Sequence, residues 1–483
     1  MLTTQLNRLD ASLGDAIERG VCAHHRRRLH RHGHDGALDP PTGGWAATGS
    51  FEPVDGTRVE LLVDGATALP RMAEAIEASS SHVHVAGWFF SPDFRMGHDG
   101  PLLRELLAAA AERVDVRVLA WAGAPLPLFR PDRREVRRMR DALVGGTRIS
   151  MALDAKERPM HCHHEKLVIV DDEVAFVGGI NLTSFSGQRL DHSAHPPRDS
   201  LGWHDACFRL EGPLVADVAA HFLLRWREFA GDAPADPRRA DPRSDGVRAQ
   251  LVRTVPERVY EGLPRGEFSI LESYVRALRS AERLIYLENQ FLWSPELVSI
   301  IARKLREPPC DDFRVVVLLP AHPSSGADDS RGQLGVLADA AKQGGDERRF
   351  LACTLYQPGP GGKPVYVHAK IGIVDDRWLT TGSANLNEHS LFNDTEVNVV
   401  LCDEAIARDA RLRLWSEHLE LPTGEIGGDP ARVIDDLWRP LSKRNAAHRR
   451  VHDWTPHRLV FLPHVSRRGE ALWGPLSGLL VDG

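Results

Sequence analysis

The chain has no apolar run near the ~18 residues that crossing a bilayer takes, so any contact with membrane is expected to be peripheral. Its opening stretch, MLTTQLNRLDASLGDAIERG, carries Arg8, Asp10, Asp15, Glu18 and Arg19, and no apolar core of a secretory signal can be drawn through it. Cysteine is sparse. Cys22, Cys162, Cys207, Cys310, Cys353 and Cys402 are scattered and lack Cys-x2-Cys spacing, which reads as reduced, mostly buried thiols in a cytoplasmic protein, with disulfides the lesser reading. An excess of positive charge is also missing. The formal net charge of -7 excludes a globally basic nucleic-acid coat, although 60 Lys and Arg residues can still line a local cleft.

What is present is the composition of a globular protein, 42% hydrophobic and 26% charged over 483 residues, enough for two domains of ordinary size. Residues 1–50 begin with a plausible amphipathic helix and continue through HHRRRLHRHGHDG. Arg26, Arg27, Arg28 and Arg31 there read as a solvated charge run, with anionic head groups the lesser reading. The neighbouring histidines, His24 to His34, lack acidic or cysteine partners at metal-ligand spacing. From Val59, short apolar strands such as HVHVAGWFF and VDVRVLAW alternate with helical stretches such as PLLRELLAAAAERV. This βαβ grammar predicts α/β domains, each a mostly parallel central sheet flanked by helices. DAPADPRRADPRSDG, at 232–246, reads as a linker between domains at 51–231 and 247–420, with a C-terminal extension at 421–483.

The grammar repeats after the linker. HEKLVIVDDEVAFVGGINL at 164–182 and HAKIGIVDDRWLTTGSANL at 368–386 agree at nine of nineteen positions, where chance gives about one. The chain is therefore a duplication, and two copies predict a pseudo-two-fold pair of domains with one site at their interface. On a strand, residues i and i+2 share a face, so His164 points with Lys166 and His368 with Lys370. A core constraint preserves apolar character, whereas what is repeated here is His, Lys, Asp and Asn. A phosphodiester is monoanionic and repels a nucleophile; two lysines and two asparagine amides can hold its oxygens, so that no metal-ligand cluster is needed. One Lys-phosphate contact at ~4 Å has a Coulomb term of about 4 kcal/mol at an effective dielectric of ~20, before desolvation. Imidazole titrates near neutrality, so one histidine can attack phosphorus while the other protonates the leaving alcohol and then activates water. Each needs a carboxylate to fix its tautomer. Asp205 in GWHDACF is the candidate for the first half and Glu396 in NDTEVNV for the second. Asp171 and Asp375 complete the two motifs across a turn, where holding the loop and strand ends suits them better than touching substrate.

These residues resemble the phospholipase D superfamily, with its duplicated His-x-Lys-x4-Asp followed by Gly-Gly or Gly-Ser and an Asn. GWHDACFRLEGPLVADVAAHFLLRW, IYLENQF and GSANLNEHSL extend the likeness to the eukaryotic-type, lipid-cleaving branch over most of residues 59–420. The resemblance implies two α/β/α domains with the catalytic set His164, Lys166, Asp171, His368, Lys370 and Asp375 meeting at their interface. It implies ping-pong hydrolysis of phosphatidylcholine-like lipids to phosphatidic acid through a phosphohistidine, with water or an alcohol as acceptor. It makes His164 the nucleophile and His368 the acid, an order that the symmetry of the sequence leaves open. Lys166, Lys370, Asn181 and Asn385, with Ser383 and Gly179, fall at phosphate. No cofactor and no nucleic-acid partner are expected; the oligomeric state is open. Two departures stand out: Gly179 where the second copy has Ser383, removing a hydroxyl donor, and Asn181 where that branch often has aspartate. A cardiolipin-synthase-like transferase and a nuclease of the same superfamily are the alternatives.

Other features read as structural. His161, Cys162 and His163 line the cleft mouth rather than bind metal, and GPGGKP at 359–364 is a turn. Trp88, Phe89, Phe90, Phe291 and Trp293 belong to the core more readily than to a lipid-facing surface; ALWGPLSGLLVDG at the C-terminus is a further lipid-facing candidate.

Overall fold

The computed structural model describes residues 2–126, 130–158, 161–183, 203–230, 234–322 and 330–463; ALWGPLSGLLVDG lies outside them. A long helix, α1 (Leu2–His32), leads into the first half. That half comprises β1 (Val54–Val63), α2 (Gly65–Glu77), β2 (His82–Gly87), α3 (Leu103–Ala111), β3 (Asp115–Trp121), α4 (Arg133–Val144), β4 (Ser150–Asp154), β5 (Leu167–Val170), β6 (Val174–Gly178), β7 (Trp203–His204), β8 (Ala206–Glu211) and α5 (Leu214–Trp226). The second half comprises β9 (Val247–Val255), β10 (Glu267–Phe268), α6 (Ser269–Ser280), β11 (Leu284–Glu288), α7 (Pro295–Arg306), β12 (Arg314–Leu318), α8 (Arg331–Gln343), β13 (Phe350–Tyr356), β14 (Pro364–Val367), β15 (Ile371–Val374), β16 (Trp378–Gly382), β17 (Glu396–Leu401) and α9 (Glu404–Leu419). Short helices α10 (Thr423–Ile426) and α11 (Pro430–Val433), then α12 (Arg439–His452) and β18 (Leu459–Phe461), follow.

The two sheets have the same plan. The first runs β4-β3-β2-β5-β6-β8-β1 and the second β13-β12-β11-β15-β16-β17-β9. In the first, β1, β2, β3, β4 and β6 run one way against β5 and β8, so most strands are parallel in direction, as the βαβ grammar predicts. Pairing, however, is mixed. Neighbours are parallel only across β2-β3-β4 and β11-β12-β13, because the motif strands are joined by tight turns and must form antiparallel hairpins. Those turns are the Asp-Asp pairs: Asp171, Asp172, Asp375 and Asp376 all have positive φ, the geometry of a type I′ turn, which aspartate tolerates better than most residues.

Each sheet is buried on both faces. Along β5, Leu167 and Ile169 enter a central core shared with Ile371, Ile373, Val397 and Trp415 of the second half. Val168 and Val170 face the opposite layer, formed by Leu69 and Met72 of α2, Leu107 of α3 and Met139 of α4. The alternation has the strand period of two, and one core spans both halves. Trp88, Phe89, Phe90, Phe291 and Trp293 are all buried, in keeping with the core reading.

Both flanking segments are built into the second half. His25, Arg28 and Leu29 form one face of α1 at helical spacing: His25 Nδ1 meets Glu296 Oε1 at 2.7 Å, Arg28 Nη2 meets Glu257 Oε2 at 2.6 Å, and Leu29 joins the core under α6 and α7. The solvated reading therefore holds for Arg26, Arg27 and Arg31, which are exposed, and fails for Arg28. At the other end β18 pairs with β13, and Trp438 packs on Trp415 and Tyr286.

Candidate active site

The motif histidines lie just ahead of their strands. β5 begins at Leu167 and β15 at Ile371, so the His-x-Lys segments are not strand residues of their own sheets, contrary to the expectation. They are extended because they pair across the seam between halves. His164 N–H donates to Thr395 O at 3.0 Å and His368 N–H to His204 O at 2.8 Å, beside the short parallel pairing of β14 with β7. In each half the lysine ammonium folds back onto the carbonyl oxygen of its own motif histidine.

The carboxylates cross that seam. His164 Nδ1 lies 3.0 Å from Glu396 Oε1, and His368 Nδ1 lies 2.7 Å from Asp205 Oδ2. The sequence reading kept each histidine with the carboxylate of its own half, and this pairing is corrected. Both motif lysines act electrostatically on Asp205, and Lys166 acts on Glu396, so the two motifs make one charged cluster. Burial pushes the Asp205 carboxyl up to about 7, against the pull of Lys370 and Lys166. Glu396 is pushed up to about 8 by burial, against Lys166 and with the negative charge of Asp394 adding to the rise.

The remaining motif residues divide in two. Asn385 Nδ2 and Lys370 Nζ converge on Gln290 Oε1, at 3.4 and 3.2 Å; Asn181, at the equivalent position of the first copy, is buried, lines one cavity with Lys166, and has a side-chain oxygen without a hydrogen-bond partner among the described residues. Ser383 donates to Glu396 Oε2, and Ser390 Oγ donates to Glu396 Oε1 at 2.6 Å. Gly179 fills the corresponding place with nothing: a Cβ there would lie 2.2 Å from Asp205 Oδ1. The Gly/Ser difference is thus matched to the carboxylate that each position receives. Asp171 and Asp375, by contrast, sit at the far ends of β5 and β15. Asp171 accepts backbone N–H groups of Ser80, Ser81 and His82 at 2.7–2.8 Å, and Asp375 those of Glu282, Arg283 and Leu284 at 2.7–2.8 Å. They fix the entry to β2 and β11 and do not reach the imidazoles.

Sequence reasoning missed Gln290 and Ser390 as parts of the cluster, although both fall in segments that carried the family resemblance. It also missed Trp203, whose ring lies 4.2 Å from that of His368. The triplet ahead of the first motif scatters: Cys162 is in the core, His163 Nε2 meets Asp154 Oδ1 at 3.0 Å in a buried network with Arg225 and Tyr260, and His161 faces His389.

A duplicated α/β fold with paired His-x-Lys motifs at its seam defines a class, and a family model, "Cardiolipin synthase, PLD-like domain", matches residues 72–192 and 274–416, more than half of the chain. The chain belongs to this phospholipase D-like family. Among curated proteins it is 26% identical to phospholipase D A of Dictyostelium discoideum, over 77% of this chain and 36% of that protein. It is 25% identical to phospholipase D2 of Bos taurus, over 73% of this chain and 50% of that protein. The major cardiolipin synthase ClsA of Bacillus subtilis is 25% identical, over 72% of this chain and 66% of that protein. The chain thus spans between a third and a half of the first two relatives' lengths. A solved phosphatidylserine synthase from Haemophilus influenzae Rd KW20 shares the fold, with a TM-score of 0.53 at 14% identity over 76% of this chain and 87% of that one. Among the described residues no helix is long and apolar enough to cross a membrane.

Proposed function

We propose that the chain is a phosphodiesterase that cleaves glycerophospholipids of the phosphatidylcholine kind to phosphatidic acid and a free head group. The observation that carries the reading is the crossed pairing of His164 with Glu396 and His368 with Asp205. A carboxylate on Nδ1 fixes the tautomer and directs the reactive lone pair, or proton, to Nε2. One neutral imidazole, assigned by resemblance to His164, attacks phosphorus; the P–N bond forms as the P–O bond to the head group breaks, and protonated His368 supplies the proton that the leaving alcohol takes. His368, now neutral, removes a proton from water or an alcohol, whose oxygen displaces the histidine. Lys166, Lys370, Asn181 and Asn385 hold the non-bridging oxygens, where charge develops. None of these steps routes through a metal.

A transferase reading has support of its own, because cardiolipin synthase ClsA is matched over a larger share of its length than either phospholipase D above. It uses the same intermediate with a lipid alcohol as acceptor. Purified protein is to be incubated in chelator with phosphatidylcholine or phosphatidylglycerol vesicles, with and without ethanol, and with DNA and RNA in parallel. Phosphatidic acid, and phosphatidylethanol when ethanol is present, support the hydrolase; cardiolipin from phosphatidylglycerol supports the transferase. Cut nucleic acid with untouched lipid would make the chain a nuclease.

A further inference from the structure

Beside the imidazole pair, three ligand-type side chains from the two halves converge. His161 belongs to the segment leading into the first motif. His389 opens a π-helical turn, His389–Asn393, in the second half, and Asp394 follows it directly. Their donor atoms all lie within 4.8 Å of one another. His161 Nδ1 and His389 Nδ1 are 3.0 Å apart, His161 Nδ1 is 3.5 Å from Asp394 Oδ1, and His389 Nδ1 is 4.0 Å from Asp394 Oδ2.

We propose that His161, His389 and Asp394 form a binding site for a zinc-like divalent cation that clasps the two halves beside the catalytic seam. Bonds of about 2.0–2.1 Å directed tetrahedrally place ligand atoms about 3.3–3.5 Å apart; the two ring nitrogens, 3.0 Å apart, lie close to that edge, and the Asp394 carboxylate, with Oδ1 3.5 Å from one ring and Oδ2 4.0 Å from the other, reaches it by a small rotation about its own bond. Two imidazole nitrogens and a carboxylate oxygen suit zinc or a neighbouring transition metal better than calcium or magnesium, which favour oxygen alone. A fourth position is left for water.

A hydrogen-bonded pair of neutral histidines is the competing account of the same contact, and the carboxylate decides against it. Asp394 Oδ1 accepts the backbone N–H of Cys162 at 2.8 Å. Asp394 Oδ2 is buried and has no hydrogen-bond partner among the described residues, in a side chain only 1% exposed. One imidazole N–H spent on the other ring does not serve that oxygen, and a buried, unserved carboxylate oxygen is costly. A cation held by both rings serves it. Because His161 is three residues before His164 and Asp394 two before Glu396, the ion would brace the seam at which the crossed pairs meet.

The test uses the full chain, stripped with chelator and titrated with Zn2+ by calorimetry and with Co2+ by absorption. One equivalent is expected to bind, and the cobalt form to show the intense visible bands of tetrahedral coordination. His389→Gln and Asp394→Asn should each weaken zinc by more than ~100-fold, beyond what changes in outer-shell partners cost, with circular dichroism verifying the fold. Should either variant fail to fold, His161→Gln takes its place, and the wild-type cobalt spectrum stands without any variant. The absence of stoichiometric zinc binding, a weak six-coordinate cobalt spectrum, or zinc binding that persists in folded variants overturns the proposal; persistence would assign the ion to other groups, such as the adjacent rings of His448 and His452.

Discussion

Glu396, from the second half of the chain, lies 3.0 Å from Nδ1 of His164 in the first, with its other oxygen held by Ser383. The reciprocal contact, Asp205 to His368, makes each half the orienting support of the other half's histidine. Neither half holds a complete site. Glu396→Gln and Asp205→Asn keep the shape but let the amide stabilise the wrong tautomer. Each should lower kcat by about 10²–10⁴-fold with KM for phosphatidylcholine vesicles little changed. A loss confined to KM would refute the orienting role.

Burial of these two carboxyls also predicts how stability depends on pH. Asp205 and Glu396 keep their protons up to about 7 and about 8 in the folded chain, so that the ionised form that orients the imidazoles prevails only above those values, whereas the unfolded chain loses the protons near the ordinary carboxylate range, roughly 4. Folding therefore takes up protons between these limits, and the stability these groups contribute, fully present below about pH 4, declines as pH rises toward 8. Glu396→Gln removes its share of that decline. The melting temperature of the variant relative to wild type should therefore be higher at pH 8.5 than at pH 5.5, and an equal difference at both pH values would contradict the burial argument.

The fold's repeat and its paired motifs were legible in the sequence because both are local. The spacing His-x-Lys-x4-Asp, the Asp-Asp turn and the alternation in KLVIV each lie within one hairpin. The crossing of the carboxylates was not legible: Glu396 and Asp205 occupy equivalent places, and only the packing of one half on the other decides which histidine each reaches. The same holds for α1. Its charged composition suggests solvent, but His25, Arg28 and Leu29 share one helical face, and Glu296 and Glu257, more than 200 residues away, supply the partners. His161, His389 and Asp394 likewise come together only in three dimensions.

The Gly179/Ser383 difference gives a directional test. A Cβ at Gly179 collides with the Asp205 carboxylate, so Gly179→Ser should displace the support of His368 and lower kcat by about 100-fold or more, on the scale of losing a positioned catalytic group. Ser383→Gly opens space and removes one hydrogen bond to Glu396, which at ~1.5 kcal/mol corresponds to about tenfold. Steady-state rates on phosphatidylcholine vesicles decide the order. A Gly179→Ser enzyme as active as Ser383→Gly would mean that Asp205 has room to move.

The motif aspartates should behave in the opposite way to the carboxylates at the seam. Asp171 and Asp375 each accept three backbone N–H groups at the entry to β2 and β11, and their side chains sit at the end of the hairpin away from His164 and His368. Replacement by alanine leaves those donors to solvent and loosens the turn, at a cost of about 1–3 kcal/mol each. Urea or thermal unfolding should register that loss, while kcat per folded molecule, measured well below the lowered melting point, should stay within about threefold of wild type, a change of less than ~1 kcal/mol in the barrier. A fall in kcat of two orders of magnitude in a fully folded Asp375→Ala protein would place this aspartate in the chemistry and undo the assignment made from its hydrogen bonds.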